Sequence, residues 1–205
     1  MSAAISFARE LFTREGIPDI LVTSVFDQQL RDIVVQTGCY PGSLMEEICA
    51  LEGKPGFRTV KGVTEVARSR TKKESVFDRG LLAGLRHKHY FMGRHVAQNA
   101  LNALPPDSDR AKRALMEVLA AHNGKTVDAW QLAGEIAQRF VHQAIEHREK
   151  AHALTGDWIV YKRHHGRNYY LCLATHDESN ELIFSRFASA AATEYPELGI
   201  QPLAA

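Results

Sequence analysis

Apolar side chains recur at roughly helical spacing along most of this chain and switch to alternation only near its C-terminal end. Residues 4–14 fit a helix that stops at Gly16. Pro18 suits the first turn of a second helix over 19–36, with Ile20, Val25, Leu30, Ile33 and Val34 mainly to one side and Gly38 as its stop. Pro41-Gly42-Ser43 reads as a turn, with Ser43 capping a short helix through Leu51. Gly53-Lys54-Pro55-Gly56 breaks the pattern, and 57–78 has no clean period and reads as an exposed loop or lid. A long helix is expected over 79–104, its stripe built from Leu81, Leu85, Met92, Val96 and Leu104. His89 falls inside that stripe, while His87 and Arg94 point away from it. Ser108 caps the next helix, which stops at Asn123-Gly124. Thr126 opens another to about Leu154, with Asp128 placed for the helix dipole and Trp130, Ile136, Phe140 and Ala144 toward the core.

From Trp158 the period changes to two. Residues 158–162 and 168–175 read as two strands turning at His165-Gly166, and a helix follows from about Ser179 to Thr193. With a two-residue turn, one face carries Trp158, Val160, Tyr169, Leu171 and Leu173. The other carries Ile159, Tyr161, Arg163, Tyr170, Cys172 and His176, with Tyr161 directly opposite Tyr170. The fold class is α+β: mainly helical, about six helices, with a C-terminal antiparallel β-hairpin followed by a helix. An isolated hairpin is marginal, so its apolar face must lie on helices or meet a partner's strands at the hairpin edge. The 205 residues are read as a single domain with four stretches, 1–53, 54–78, 79–156 and 157–205.

Charge changes the picture more than composition does. The net charge is +1, yet residues 1–53 carry 3 basic against 8 acidic side chains and 54–88 carry 10 against 3. The near-neutral total excludes a strongly basic tail or a disordered acidic chain. No apolar run is long enough to span a bilayer, and the N-terminus reads as an amphipathic helix, not a leader. Three cysteines without metal-type spacing point to a reduced, cytoplasmic setting, with no membrane. Cys39 is a weak nucleophile candidate whose alternative is a small buried hydrophobe.

All ten histidines lie between His87 and His176, which marks where proton transfer would be located. On the second hairpin face, His176 is a candidate general base or acid, Arg163 a phosphate holder, and Tyr161 or Tyr170 a donor. Arg68, Arg70, Lys72 and Lys73, with His87, are the candidate nucleic-acid contacts, the interleaved hydroxyls adding neutral donors. The competing readings are sheet packing for the tyrosines and a solvated, charge-balancing loop for the basic residues. Helical spacing would turn His87 and His89 about 200° apart, too far to share a ligand. No phosphate loop, dinucleotide fingerprint, nucleophile elbow or HExxH stands in the chain, and no cofactor or metal is implied. A site assembled from His89, Glu146 and His147 is the remaining route to a metal.

The hairpin and helix from Trp158 to Leu198, about a fifth of the chain, resemble the C-terminal part of small bacterial phosphodiester-cleaving toxins. The likeness carries no fixed motif, and no functional residue transfers by it. The leading expectation is a metal-independent phosphodiester-cleaving protein acting on RNA. The alternatives are a non-catalytic module that binds protein or nucleic acid, and a His-dependent metal hydrolase. The first two differ in one geometric respect: catalysis needs at least two titratable groups converging on one site.

Overall fold

The structure, a computed structural model, describes residues 6–37, 41–55, 69–91, 95–103, 108–122, 128–154 and 156–203. Among them run α1 (Phe7–Arg14), β1 (Leu21–Val22), α2 (Ser24–Thr37), α3 (Gly42–Leu51), β2 (Ser75–Val76) and β3 (Arg86–Tyr90). Then follow α4 (Val96–Ala103), α5 (Asp109–Ala121), α6 (Ala129–Lys150), β4 (Asp157–His164), β5 (Arg167–Ala174) and α7 (Asn180–Glu194). The five strands form one mixed sheet in the order β1-β5-β4-β3-β2, with β1 parallel to β5 and the other pairs antiparallel. The fold is α+β, and the C-terminal strand pair followed by a helix is present.

Both faces of the sheet are apolar, which is why helices cover each. Phe12, Phe26, Leu30, Leu44, Met45 and Ile48 of α1–α3 pack on Tyr90, Ile159, Tyr161, Tyr170 and Leu173. Ile183, Phe187 and Ala191 of α7 pack on Leu82, Val160, Leu171 and Cys172 from the other side. Each such side chain removed from water contributes about 1.5–3 kcal/mol.

The hairpin turns at His165-Gly166, both at positive φ (46° and 78°), the geometry of a two-residue turn whose twist matches the strands. Tyr161 pairs with Tyr170, as its spacing predicts. One residue later the register slips: Val160 pairs with Cys172, leaving Leu171 as an extra residue. A bulge of one residue exchanges the faces of everything beyond it. Cys172 therefore joins Val160 beneath α7, and Leu173 joins Ile159 on the α1–α3 side. The two-faced assignment is corrected at Cys172, Leu173 and His176.

The single helix expected over 79–104 is the largest correction. Among the described residues of this stretch, Gly80–Leu82 form one 3-10 turn, Arg86–Tyr90 a central strand, and Val96–Ala103 an α-helix. The strand was hidden because its alternate positions are His and Lys, not apolar residues. Helix α2 starts at Ser24, not near Pro18, because Leu21 and Val22 are taken into the sheet and the Thr23 hydroxyl accepts the Phe26 N–H at 3.1 Å. Part of 57–78 is also ordered strand: Ser75 and Val76 pair with His87 and Arg86. Ser43 lies inside α3 and caps nothing there; its hydroxyl accepts the Phe91 N–H. The α6 cap is Asp128, and Trp130 is 86% exposed, so it does not face the core. Thr126 and Cys39 lie outside the described residues.

The hairpin edge is not free. β4 is paired on both sides, and β5 is closed by β1 and by two side chains. Thr23 donates to Leu171 O at 2.6 Å, and Gln29 bonds both the N–H and the C=O of Leu173.

Gly156 enters β4 where only a glycine fits: a Cβ there would stand 1.8 Å from Tyr90 O. Gly156→Ala must displace the β3 end, and a loss of about 3 kcal/mol is expected. Urea unfolding measures it; a midpoint equal to wild type would show that this crossing has room to spare.

Candidate functional site

β3 and β4 build the site. Residues directly opposite on an antiparallel pair share a face, and His87 pairs with Val160, His89 with Trp158. Two apart on a strand, His87 and His89 project to the same side, whereas helical spacing had separated them. The bulge in β5 brings His176 to that side as well. The rings form one cluster: His87–His89 centroids 5.7 Å apart, His89–His176 5.2 Å, His87–Trp158 4.9 Å and Trp158–His176 4.5 Å. Phe77 closes it at 4.6 Å from His87 and 5.6 Å from Trp158. His89 is buried, His87, Trp158 and Phe77 are half-buried, and His176 is exposed.

Hydrogen bonds fix part of the proton pattern. The Trp158 indole N–H donates to His89 Nε2 at 3.2 Å, so a neutral His89 carries its proton on Nδ1. His176 Nε2 lies 2.9 Å from Gly156 O, and a carbonyl only accepts, so that nitrogen is protonated. The Nδ1 atoms of His87 and His89 are buried without a hydrogen-bond partner among the described residues. Burial, reinforced by the neighbouring His176, pushes His87 down from 6.5 to about 4. Burial also pushes His89 down to about 3, helped by His176, His87, Lys72 and Lys88. Both are neutral imidazoles at physiological pH.

The other hairpin residues lie apart from this cluster. Tyr161 and Tyr170 are fully buried beneath α1–α3. The Tyr161 hydroxyl donates to Glu74, and that of Tyr170 to Glu52 at 2.6 Å. Burial and these carboxylates raise both phenols. Arg163 is exposed, bonding Asn168 at 3.0 Å and Glu74 at 3.4 Å. The structure thus brings together His176 and His87, and it separates them from Tyr161, Tyr170 and Arg163.

Of the basic residues, Arg68 lies outside the described residues. Arg70 pairs with Glu149 at 2.6 Å. Lys72 and Lys73 are exposed and form no ion pair among the described residues. Helical spacing separates His87 from His89, so the pair emerges only with the strand geometry of β3. His95, which no sequence motif singles out, has its Nε2 3.1 Å from the buried Asp157 carboxylate. His147 and Glu146 lie on α6, far in sequence and element from the β3 imidazoles. Among the described residues no group of three or more His, Cys, Asp or Glu is arranged to hold a metal ion, and no helix is long and apolar enough to cross a membrane.

The arrangement suits proton transfer beside an aromatic platform: two neutral imidazoles and a third open to solvent. Compared with protein-family models, curated proteins and solved structures, the chain matches none.

Proposed function

We propose that this protein cleaves RNA phosphodiester bonds, with His87 and His176 as its acid–base pair. The observation that carries the reading is the convergence of three imidazoles around Trp158 on one sheet face. His87, neutral above about pH 4, accepts the proton of a ribose 2′-hydroxyl as that oxygen attacks the adjacent phosphorus. The O2′–P bond forms and the P–O5′ bond breaks. The leaving 5′-oxygen takes a proton from the imidazolium form of His176, the ring most open to solvent. The products are a 2′,3′-cyclic phosphate and a 5′-hydroxyl. His89 orients Trp158, whose exposed part, with Phe77, gives a base a surface to stack on. Lys72 and Lys73 supply positive charge for the phosphates.

A labelled single-stranded RNA incubated with purified protein in EDTA should be cut at neutral pH. RNA that is bound and left intact would favour the non-catalytic module. Cleavage appearing only on adding a divalent metal would favour the metal hydrolase. One observation supports the binding reading: α4–α6 expose the large apolar side chains Leu101, Met116 and Trp130, each available to a protein partner.

A further inference from the structure

Lys88 stands on β3 between His87 and His89, and its side chain points to the opposite side of the sheet. It is 3% exposed, and the Glu47 facing it is 1% exposed. Its ammonium forms an ion pair with Glu47 Oε2 at 3.0 Å and donates to the Thr71 hydroxyl and to Lys72 O at 2.5 Å. The other Glu47 oxygen accepts the backbone N–H groups of Arg70 and Thr71 at 3.0 and 3.1 Å. Thr71 in turn donates to His89 O at 2.6 Å, and Lys72 N–H donates to Leu154 O at 3.2 Å.

Residues 69–74, Ser-Arg-Thr-Lys-Lys-Glu, contain no apolar side chain. Hydrophobic burial cannot hold such a strap on the sheet. An apolar pair in place of Lys88 and Glu47 would fill the same space at little cost in stability, but it would not grip the backbone of Arg70, Thr71 and Lys72. The ionic pair is therefore suited to position, beyond stability. We infer that Lys88 and Glu47 are positioning residues that clamp the basic strap to the histidine strand, presenting Lys72 and Lys73 to the phosphates of an RNA bound at the imidazoles. This rests on the RNA reading above.

The test is the double variant Lys88→Met/Glu47→Leu, which leaves no uncompensated buried charge. It should keep the wild-type circular dichroism and a cooperative melt. Trypsin should cut it after Arg70, Lys72 or Lys73 at least about tenfold faster than wild type, because those backbone anchors are gone. Its log–log salt slope for single-stranded RNA binding should fall by about 1.4 units, the share of two lysines. Wild-type trypsin resistance in the folded variant would overturn the clamp. A released strap with an unchanged salt slope would overturn its role toward phosphate. Should the double variant not fold, Lys88→Met/Glu47→Gln, which also leaves no uncompensated buried charge and frees Lys72 O, should show the same two changes more weakly, and wild-type values in both would overturn the clamp. Wild-type protein without RNA affinity would instead overturn the RNA reading, with the trypsin result still reporting the clamp.

Discussion

Replacing His176 by Ala should lower the single-turnover rate of RNA cleavage by about 100-fold or more and leave RNA affinity nearly intact. His176 sits just beyond β5, exposed, with Nε2 held on Gly156 O and its ring against Trp158. Strand and carbonyl hold the imidazole while solvent reaches it. Removing the ring deletes a proton donor but no cation of the basic strap, so binding and chemistry should separate. His142→Ala, on the exposed side of α6, is the matched control and should retain wild-type rate. Full activity in His176→Ala would remove this residue from the mechanism.

Acid should destabilise the protein well before its carboxylates titrate. In the unfolded chain His87 and His89 take up protons near pH 6.5; in the folded protein they do so near 4 and 3. The unfolded state thus binds more protons between these limits. The stability linked to each imidazole is fully present above pH 6.5 and is lost as pH falls toward the folded value. At 1.36 kcal/mol per unit, His89 should cost about 2 kcal/mol between pH 6.5 and 4.5. His87, half-buried and partly screened by water, should cost less. Urea unfolding across that window measures the loss. His87→Phe keeps a ring beside Phe77 and Trp158 and should remove its share of the slope. A stability flat from pH 6.5 to 4.5 would mean that both imidazoles are solvated in the folded state.

The hairpin, its turn, the Tyr161–Tyr170 pair and the helix after Ser179 were legible because their apolar residues keep a clean period and their turn carries a glycine. β3 was not. Arg86-His87-Lys88-His89-Tyr90 alternates between two kinds of polar side chain. What makes it a central strand is compensation from elsewhere: Glu47 for Lys88, and Trp158 for His89. Hydrophobic periodicity cannot register a buried charge that is satisfied by a residue 41 positions away. The bulge at Leu171 was equally hidden, since strict alternation is the only register a sequence shows. Together these two features decide the candidate site. The strand puts His87 and His89 on one side, and the bulge brings His176 to them and away from Tyr161 and Arg163. The concentration of histidines points to the same region of the chain, but which of them meet depends on strand geometry.

The central claim is 2′-hydroxyl chemistry at the His87–His176 cluster. The most direct measurement is product analysis on a single-stranded RNA and on the same strand carrying one 2′-deoxy nucleotide at the cleaved step. The account predicts a 2′,3′-cyclic phosphate and a 5′-hydroxyl from the RNA, and no cut at the substituted step. Cleavage at the 2′-deoxy position, or products ending in a 5′-phosphate, would contradict it.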